Sequence, residues 1–221
     1  MPPERRRLVV FDLDGTLVDS RQDLADSANA LIAERGGTPL PVAAVTAMVG
    51  EGAALLVRRA LTAAGLEPAL DTALPRFLAL YDERLLSHTH LYPGTREALE
   101  AIAADTTLAI LTNKPQRPTE RLLSGLGVAG YFAEVIGGDT PLGRKPDPAG
   151  LAHLIAASGA AAADSLLVGD SAIDLRTARA GGVRICLVRY GFGFASAASE
   201  FRGDETIADS PSELPRLIRR A

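Results

Sequence analysis

The run Leu8-Val9-Val10-Phe11-Asp12-Leu13-Asp14-Gly15-Thr16 decides how the whole chain is read. Four consecutive apolar residues suit a short strand buried on both faces and are too few for a helix. The run closes on two aspartates, a glycine and a threonine, a composition that favours a tight turn. The same arrangement recurs downstream. Leu108-Ala109-Ile110-Leu111 runs into Thr112-Asn113-Lys114-Pro115, Glu134-Val135-Ile136 into Gly137-Gly138-Asp139, and Leu166-Leu167-Val168 into Gly169-Asp170-Ser171. Residues 183–188 supply a fifth strand. Stretches 94–104, 116–126, 148–158 and 172–180 carry helical patterns with Pro or Gly at their edges. Buried strands alternating with helices predict an α/β fold, a doubly wound parallel-sheet, Rossmann-like core. Ligands bind such sheets at the carboxyl ends of the strands, where the four polar turns are expected to converge.

Residues 18–88 break the alternation. They are rich in Ala, Leu and Arg with a helical period, as in Ala53-Ala54-Leu55-Leu56-Val57-Arg58-Arg59-Ala60-Leu61, and offer no convincing strand. Breaks near Gly36-Gly37, Pro41, Gly50-Glu51-Gly52 and Gly65 predict about four helices. The segment reads as a helical insertion over 18–88 between the first strand and the rest of the sheet, with 1–17 and 89–221 forming the α/β core. The chain returns to the core near His88-Thr89-His90-Leu91-Tyr92-Pro93-Gly94.

The 221 residues are 47% hydrophobic with a net charge of −4, enough for a substantial core and no argument for nucleic acid. No basic stripe appears beyond Arg5-Arg6-Arg7 and Arg219-Arg220 at the ends. The apolar run after the first ends at Asp12, too short for a signal peptide, and no stretch has the length of a membrane span. A cytoplasmic protein with neither a nucleic-acid nor a membrane partner is expected. The single cysteine, Cys186, lies in an apolar strand and reads as a buried structural thiol. Only two of the 23 basic residues are lysines, Lys114 and Lys145, and each directly precedes a proline.

Asp12 and Asp14 stand one residue apart at a strand end, so in extended geometry both carboxylates project to one side. Such a pair can divide nucleophilic and acid/base work, or serve as an Asp-rich turn that caps the next helix. Asp170 and Asp174 form a second acidic turn, with helix capping as the alternative role. Convergence of Asp12, Asp14 and Asp170 would need a cation. Hard oxygen donors without a Cys/His cluster select Mg²⁺ over Zn²⁺. Thr112 and Asn113 offer a hydroxyl and an amide to a phosphoryl oxygen, and Lys145 a compact positive charge. Lys114 is expected only to border that loop. His88 and His90 read as hinge or surface residues and His153 as packing. Arg58, Arg59 and Arg189 are candidates for a substrate carboxylate outside the main set.

Taken in order, Phe11-Asp12-Leu13-Asp14-Gly15-Thr16-Leu17-Val18-Asp19-Ser20, Thr112-Asn113-Lys114-Pro115, Lys145-Pro146-Asp147-Pro148 and Gly169-Asp170-Ser171 through Asp174 resemble the four motifs of the haloacid dehalogenase superfamily. The resemblance spans nearly the whole chain, implies an α-helical cap at 18–88 on a catalytic core of 1–17 and 89–221, and is closest to the phosphoglycolate phosphatases. Met48-Val49-Gly50-Glu51-Gly52-Ala53, Leu91-Tyr92-Pro93-Gly94, Tyr131-Phe132, Val135-Ile136-Gly137-Gly138-Asp139 and Tyr190-Gly191-Phe192 support it.

The resemblance implies a phosphomonoesterase acting through an aspartyl-phosphate. Asp12 is then the nucleophile and Asp14 the acid/base, its protonated form favoured by neighbouring carboxylates. Mg²⁺ is expected on Asp12, Asp170 and the main-chain carbonyl of Asp14, with Asp174 in support. Thr112, Asn113 and Lys145 are expected to cradle a small phosphorylated substrate. Phosphoglycolate is the expected ester. Sugar phosphates, nucleotides, pyrophosphate and a non-catalytic binding role on the same fold stay open. Residues 18–88 contain no lysine, which argues against phosphonate cleavage through a cap Schiff base and against mutase chemistry, and no P-loop occurs. Glu51 is expected to do no more than cap the following helix.

Overall fold

The computed structural model describes residues 7–220. Arg5 and Arg6 of the first basic cluster lie outside the described residues. Strand β1 (Leu8–Phe11) is the centre of the molecule, since β4 (Thr107–Leu111) pairs parallel on one side and β6 (Ser165–Gly169) on the other. Two short strands precede β4, namely β2 (Val18–Asp19) and β3 (His90–Leu91). Beyond β4 lies β5 (Phe132–Ile136), and beyond β6 lie β7 (Arg184–Val188) and β8 (Thr206–Ala208). The order β5-β4-β1-β6-β7-β8, parallel throughout, runs outward in both directions from a switch between β1 and β6. A crevice opens at such a switch, beyond the strand ends. Five of these six strands were legible in the sequence; β8 was not, being three residues long in a polar context.

Successive strand residues alternate between two apolar layers, as pleating requires. Val9, Phe11, Ile110 and Val168 face a layer with α5 (Thr95–Ala103) and α6 (Gln116–Gly125). Val10, Ala109, Leu167 and Leu187 face a second layer with α7 (Ala149–Ser158) and α8 (Ala172–Ala180). Helices α9 (Phe194–Ala197) and α10 (Leu214–Arg220) close the β7–β8 side. Fully burying one such Leu, Val or Phe stabilises the fold by roughly 1.5–3 kcal/mol.

The cap lies between β2 and β3. Its helices are, in chain order, α1 (Arg21–Glu34), α2 (Val42–Thr46), α3 (Ala53–Ala63) and α4 (Leu70–Arg84), and α4 packs mainly on α1 and α3. We refer to the Leu70–Arg84 helix as the Tyr81 helix. Val18 and Asp19 were expected to belong to a strand-free segment. They instead pair antiparallel with Leu91 and His90, making a two-stranded ribbon where the chain leaves and re-enters the core. Asp23 fixes that return from below. Its buried carboxylate accepts from the main-chain N–H groups of His88 and Thr89 and from the Thr89 hydroxyl at 2.7–3.1 Å. Through Leu13, Leu17 and Val18 the cap interior joins the β1 layer without a gap.

Candidate active site

Strand β1 hands its register on to Asp12, whose N–H donates to the Val168 carbonyl at 2.9 Å. The Asp12 side chain thus sits just past the strand ends, beside the residues that follow β6. Gly15 turns the chain at φ +88°, and its N–H donates to the Val18 carbonyl at 2.9 Å. A Cβ at Gly15 would fall 2.2 Å from Asp170 Oδ2, and one at Gly191 would fall 2.4 Å from the Gly15 carbonyl oxygen. These two glycines let the loops after β1, β6 and β7 close around the Asp170 carboxylate.

Four charged side chains form one buried cluster. Lys145 Nζ donates to Asp12 Oδ1 at 2.7 Å and to Asp174 Oδ1 at 2.6 Å. Asp174 Oδ2 accepts from the Ser171 N–H and hydroxyl at 3.0 and 2.7 Å, completing a capping box at the start of α8. Asp174 therefore both caps α8 and anchors Lys145. Asp170 Oδ2 accepts from the Gly193 N–H at 2.7 Å. Oxygens of Asp12, Asp170 and Asp174 lie within 4.8 Å of one another.

Three buried carboxylates face one ammonium here, an excess of two negative charges. Burial, reinforced by Asp174 and Asp12, pushes the Asp170 carboxyl well above the usual range. Burial lifts the Asp12 carboxyl to about 6 even though Lys145 pulls it down. Burial would lower the Lys145 ammonium, but Asp12 and Asp174 more than offset that and hold it above the ordinary lysine range. A divalent cation fits this set by charge and by donor chemistry, because every ligand offered is a hard oxygen. Both Asp174 oxygens are committed to Lys145 and Ser171, whereas the hydrogen bonds to Asp12 and Asp170 each engage one oxygen.

The Asp14 carboxylate faces a different environment. Ser20 Oγ donates to Oδ1 at 2.6 Å, and Lys114 Nζ lies 3.1 Å from both oxygens. The sequence placed it among carboxylates; its closest charged partner is an ammonium. Lys114, expected only to border the phosphate loop, is a buried member of the site. Its Nζ also donates to the Tyr81 hydroxyl at 2.6 Å. The available signal was the rarity of lysine in this chain. Tyr81 gave no signal, because an aromatic at helical spacing reads as core.

Thr112 Oγ1 accepts from the Lys114 N–H at 3.3 Å, which leaves its own proton available. Asn113 donates its amide to the main-chain carbonyls of Gly50 and Lys145, both at 3.0 Å, tying the loop after β4 to the cap and to the Lys145 loop. Asp12, Asp14, Thr112, Asn113, Lys145 and Asp170 line one cavity, roofed by Val49, Leu56 and Phe77 from the cap. Of the four turns expected to converge, Gly137-Gly138-Asp139 stays behind the cavity wall. There the Gly138 N–H donates to the Lys114 carbonyl and Asp139 accepts from the Gln116 N–H.

The remaining candidates stand outside this cavity. Glu51 pairs with Arg59 at 2.5 Å and Arg189 with Asp209 at 3.2 Å, both exposed pairs. Arg58 lines a wider cleft next to the cavity. His88 and His90 are exposed, and the His90 ring meets the His88 carbonyl. His153 is a correction: its ring is exposed and bonds Glu134 at 2.7 Å on the surface, so it is not core packing. Cys186 is buried as expected, its thiol pushed up to about 12 by burial.

Residues 9–188 match the haloacid dehalogenase-like hydrolase family. The chain belongs to that family. It is 47% identical over 201 residues to a phosphoglycolate phosphatase of Rhodospirillum rubrum, covering 87% of this chain and 83% of the relative. It is 37% identical over 216 residues to a plasmid phosphoglycolate phosphatase of Cupriavidus necator, covering 96% and 93%. A crystal structure from Haemophilus somnus, described as a predicted phosphoglycolate phosphatase, superposes with a TM-score of 0.89 at 30% identity, covering 96% of this chain and 97% of that one.

Proposed function

We propose that this chain is a Mg²⁺-dependent phosphomonoesterase that hydrolyses 2-phosphoglycolate to glycolate and phosphate. The observation that carries the reading is the separation of the two aspartates. Asp12 belongs to the acidic cluster held by Lys145, while Asp14 is held by Lys114 and Ser20. Residues in such different settings can take different roles.

In the first half-reaction an Asp12 oxygen attacks phosphorus and the bond to the ester oxygen breaks. Asp14 gives its proton to that oxygen, so glycolate leaves as the alcohol. In the second half Asp14 takes a proton from water, the water oxygen attacks the phosphorus of the aspartyl-phosphate, and the bond to Asp12 breaks. Lys145 has a third N–H beyond those used on Asp12 and Asp174, and Thr112 a free hydroxyl proton; both are suited to the phosphoryl oxygens, with Asn113 holding their loops in place. Asp12, Asp170 and the main-chain carbonyl of Asp14 would hold the Mg²⁺, with Asp174 behind them, and its chemistry is neutralising the charge between nucleophile and phosphate.

We assign residues 18–88 to the cap, bounded by the β2–β3 ribbon. Its apolar roof offers few partners for sugar hydroxyls, which supports a small ester over a sugar phosphate, since unpaired polar groups discriminate strongly. A metabolite-sized substrate and one buried thiol are in keeping with work in the cytoplasm. The test is phosphate release from a panel of esters with and without Mg²⁺. A kcat/KM at least tenfold higher for 2-phosphoglycolate than for sugar phosphates, nucleotides and pyrophosphate is expected. A clear preference for another ester rejects the substrate, and no turnover of any ester rejects the phosphatase.

A further inference from the structure

We propose that Tyr81 of the cap and Lys114 of the core are positioning residues for Asp14, so that the acid is set in place by the seated cap. The inference rests on Asp14 being the acid of the proposed reaction. Lys114 has three N–H donors, and they meet the two Asp14 oxygens and the Tyr81 hydroxyl. Its side chain is almost wholly buried, so the ammonium has little solvent to turn towards. Ser20 fixes one Asp14 oxygen from the N-terminal end of the first cap helix, and Lys114 spans both. The carboxylate is therefore held from the core and from the cap entry.

Tyr81 completes the arrangement from the far end of the cap. Its ring stacks on Phe77 with centroids 6.0 Å apart and planes 2° from parallel. Phe could make that contact equally well. The hydroxyl, buried deeply enough that its proton is held up to about 12, has Lys114 as its partner. The Lys114 ammonium also lies 4.4 Å from the Tyr81 ring centroid, so ring and hydroxyl both fix it. Residues 81 and 114 share no element, and the contact exists only while the Tyr81 helix sits over the loop after β4. Without it the ammonium keeps its charge but loses the anchor that aims it at Asp14.

The leaving group tells positioning of an acid from simple adhesion between cap and core. An alkoxide needs the Asp14 proton to depart, whereas a nitrophenolate leaves without one. Lys114→Met and Tyr81→Phe are assayed on 2-phosphoglycolate, or the alkyl phosphate the ester panel selects, and on p-nitrophenyl phosphate. Comparison uses kcat/KM, which reads the steps up to loss of the leaving group, and kcat and melting temperature are recorded alongside. Lys114→Met is expected to lower kcat/KM for the alkyl ester about 100-fold, against under tenfold for the nitrophenyl ester, within the usual range for general acid catalysis. Tyr81→Phe is expected to show the same bias at about tenfold with an unchanged melting temperature. Equal losses on both esters overturn the proposal, as does full activity of both variants. A rise in KM for 2-phosphoglycolate with kcat unchanged also overturns it, because Lys114 would then be a contact for the substrate carboxylate. A wild type that hydrolyses neither ester removes the underlying reading of Asp14 and the proposal with it.

Discussion

Lys145 Nζ donates to Asp12 Oδ1 at 2.7 Å across 133 residues of sequence, and the same ammonium donates to Asp174. One cation thus holds the proposed nucleophile against the start of α8. Lys145→Met leaves three buried carboxylates with no ammonium among them. Removing one partner of a buried pair costs on the order of 3–5 kcal/mol. The variant is expected to lose at least about 100-fold in kcat/KM and to melt earlier in thermal scans, with added Mg²⁺ recovering part of the stability.

Asp12→Asn keeps the shape and removes the nucleophile. Turnover should fall by about 10⁴-fold or more, as for other nucleophile deletions. Circular dichroism should show the same fold.

Asp170 carries no ammonium partner of its own in the buried cluster, and burial together with Asp174 and Asp12 disfavours its charge. Asp170→Asn removes that charge and still accepts from the Gly193 N–H. The chelated variant should melt above the chelated wild type at pH 7. Its response to Mg²⁺ should be smaller, whereas wild type at 100 times the dissociation constant should gain about 2.7 kcal/mol.

The metal-free protein should also lose stability as pH rises from about 4 to about 6. Burial raises the folded Asp12 carboxyl from 3.8 to about 6. In that window the folded state binds a proton that the unfolded chain has released, so the unfolded chain is favoured as pH rises. The effect is absent below the unfolded value and complete above about 6, reaching on the order of 3 kcal/mol. Denaturant melts of chelated wild type and Asp12→Asn should diverge across this range and run parallel on either side of it.

Asp23 is buried and accepts three N–H or O–H donors from His88 and Thr89. Asp23→Ala strands two main-chain N–H groups, at about 1–3 kcal/mol for each one left buried. A lower urea midpoint is expected, with faster proteolysis near residue 88.

The glycine- and acid-bearing turns were legible because turn composition at a strand end is a local signal. Four strands ending in polar turns, each followed by a helical pattern, left little choice of architecture. Lys114 was undervalued for a physical reason: its partners, Asp14 and Tyr81, are distant in sequence, and nothing in Asn-Lys-Pro says which way an ammonium points. Asn113 was expected on phosphate, yet its amide serves Gly50 and Lys145, residues the sequence could not bring together. The β2–β3 ribbon was missed because two-residue strands carry no period.

By itself the sequence determined the α/β class and pointed to a helical insertion and to a set of residues suited to phosphoryl chemistry, since hydrophobic period and strand-end composition are properties of neighbours along the chain. Only the tertiary structure decided the partnerships, with Lys145 on Asp12 and Lys114 on Asp14. Electrostatic pairing depends on distance in space, and the sheet order with the seated cap sets those distances.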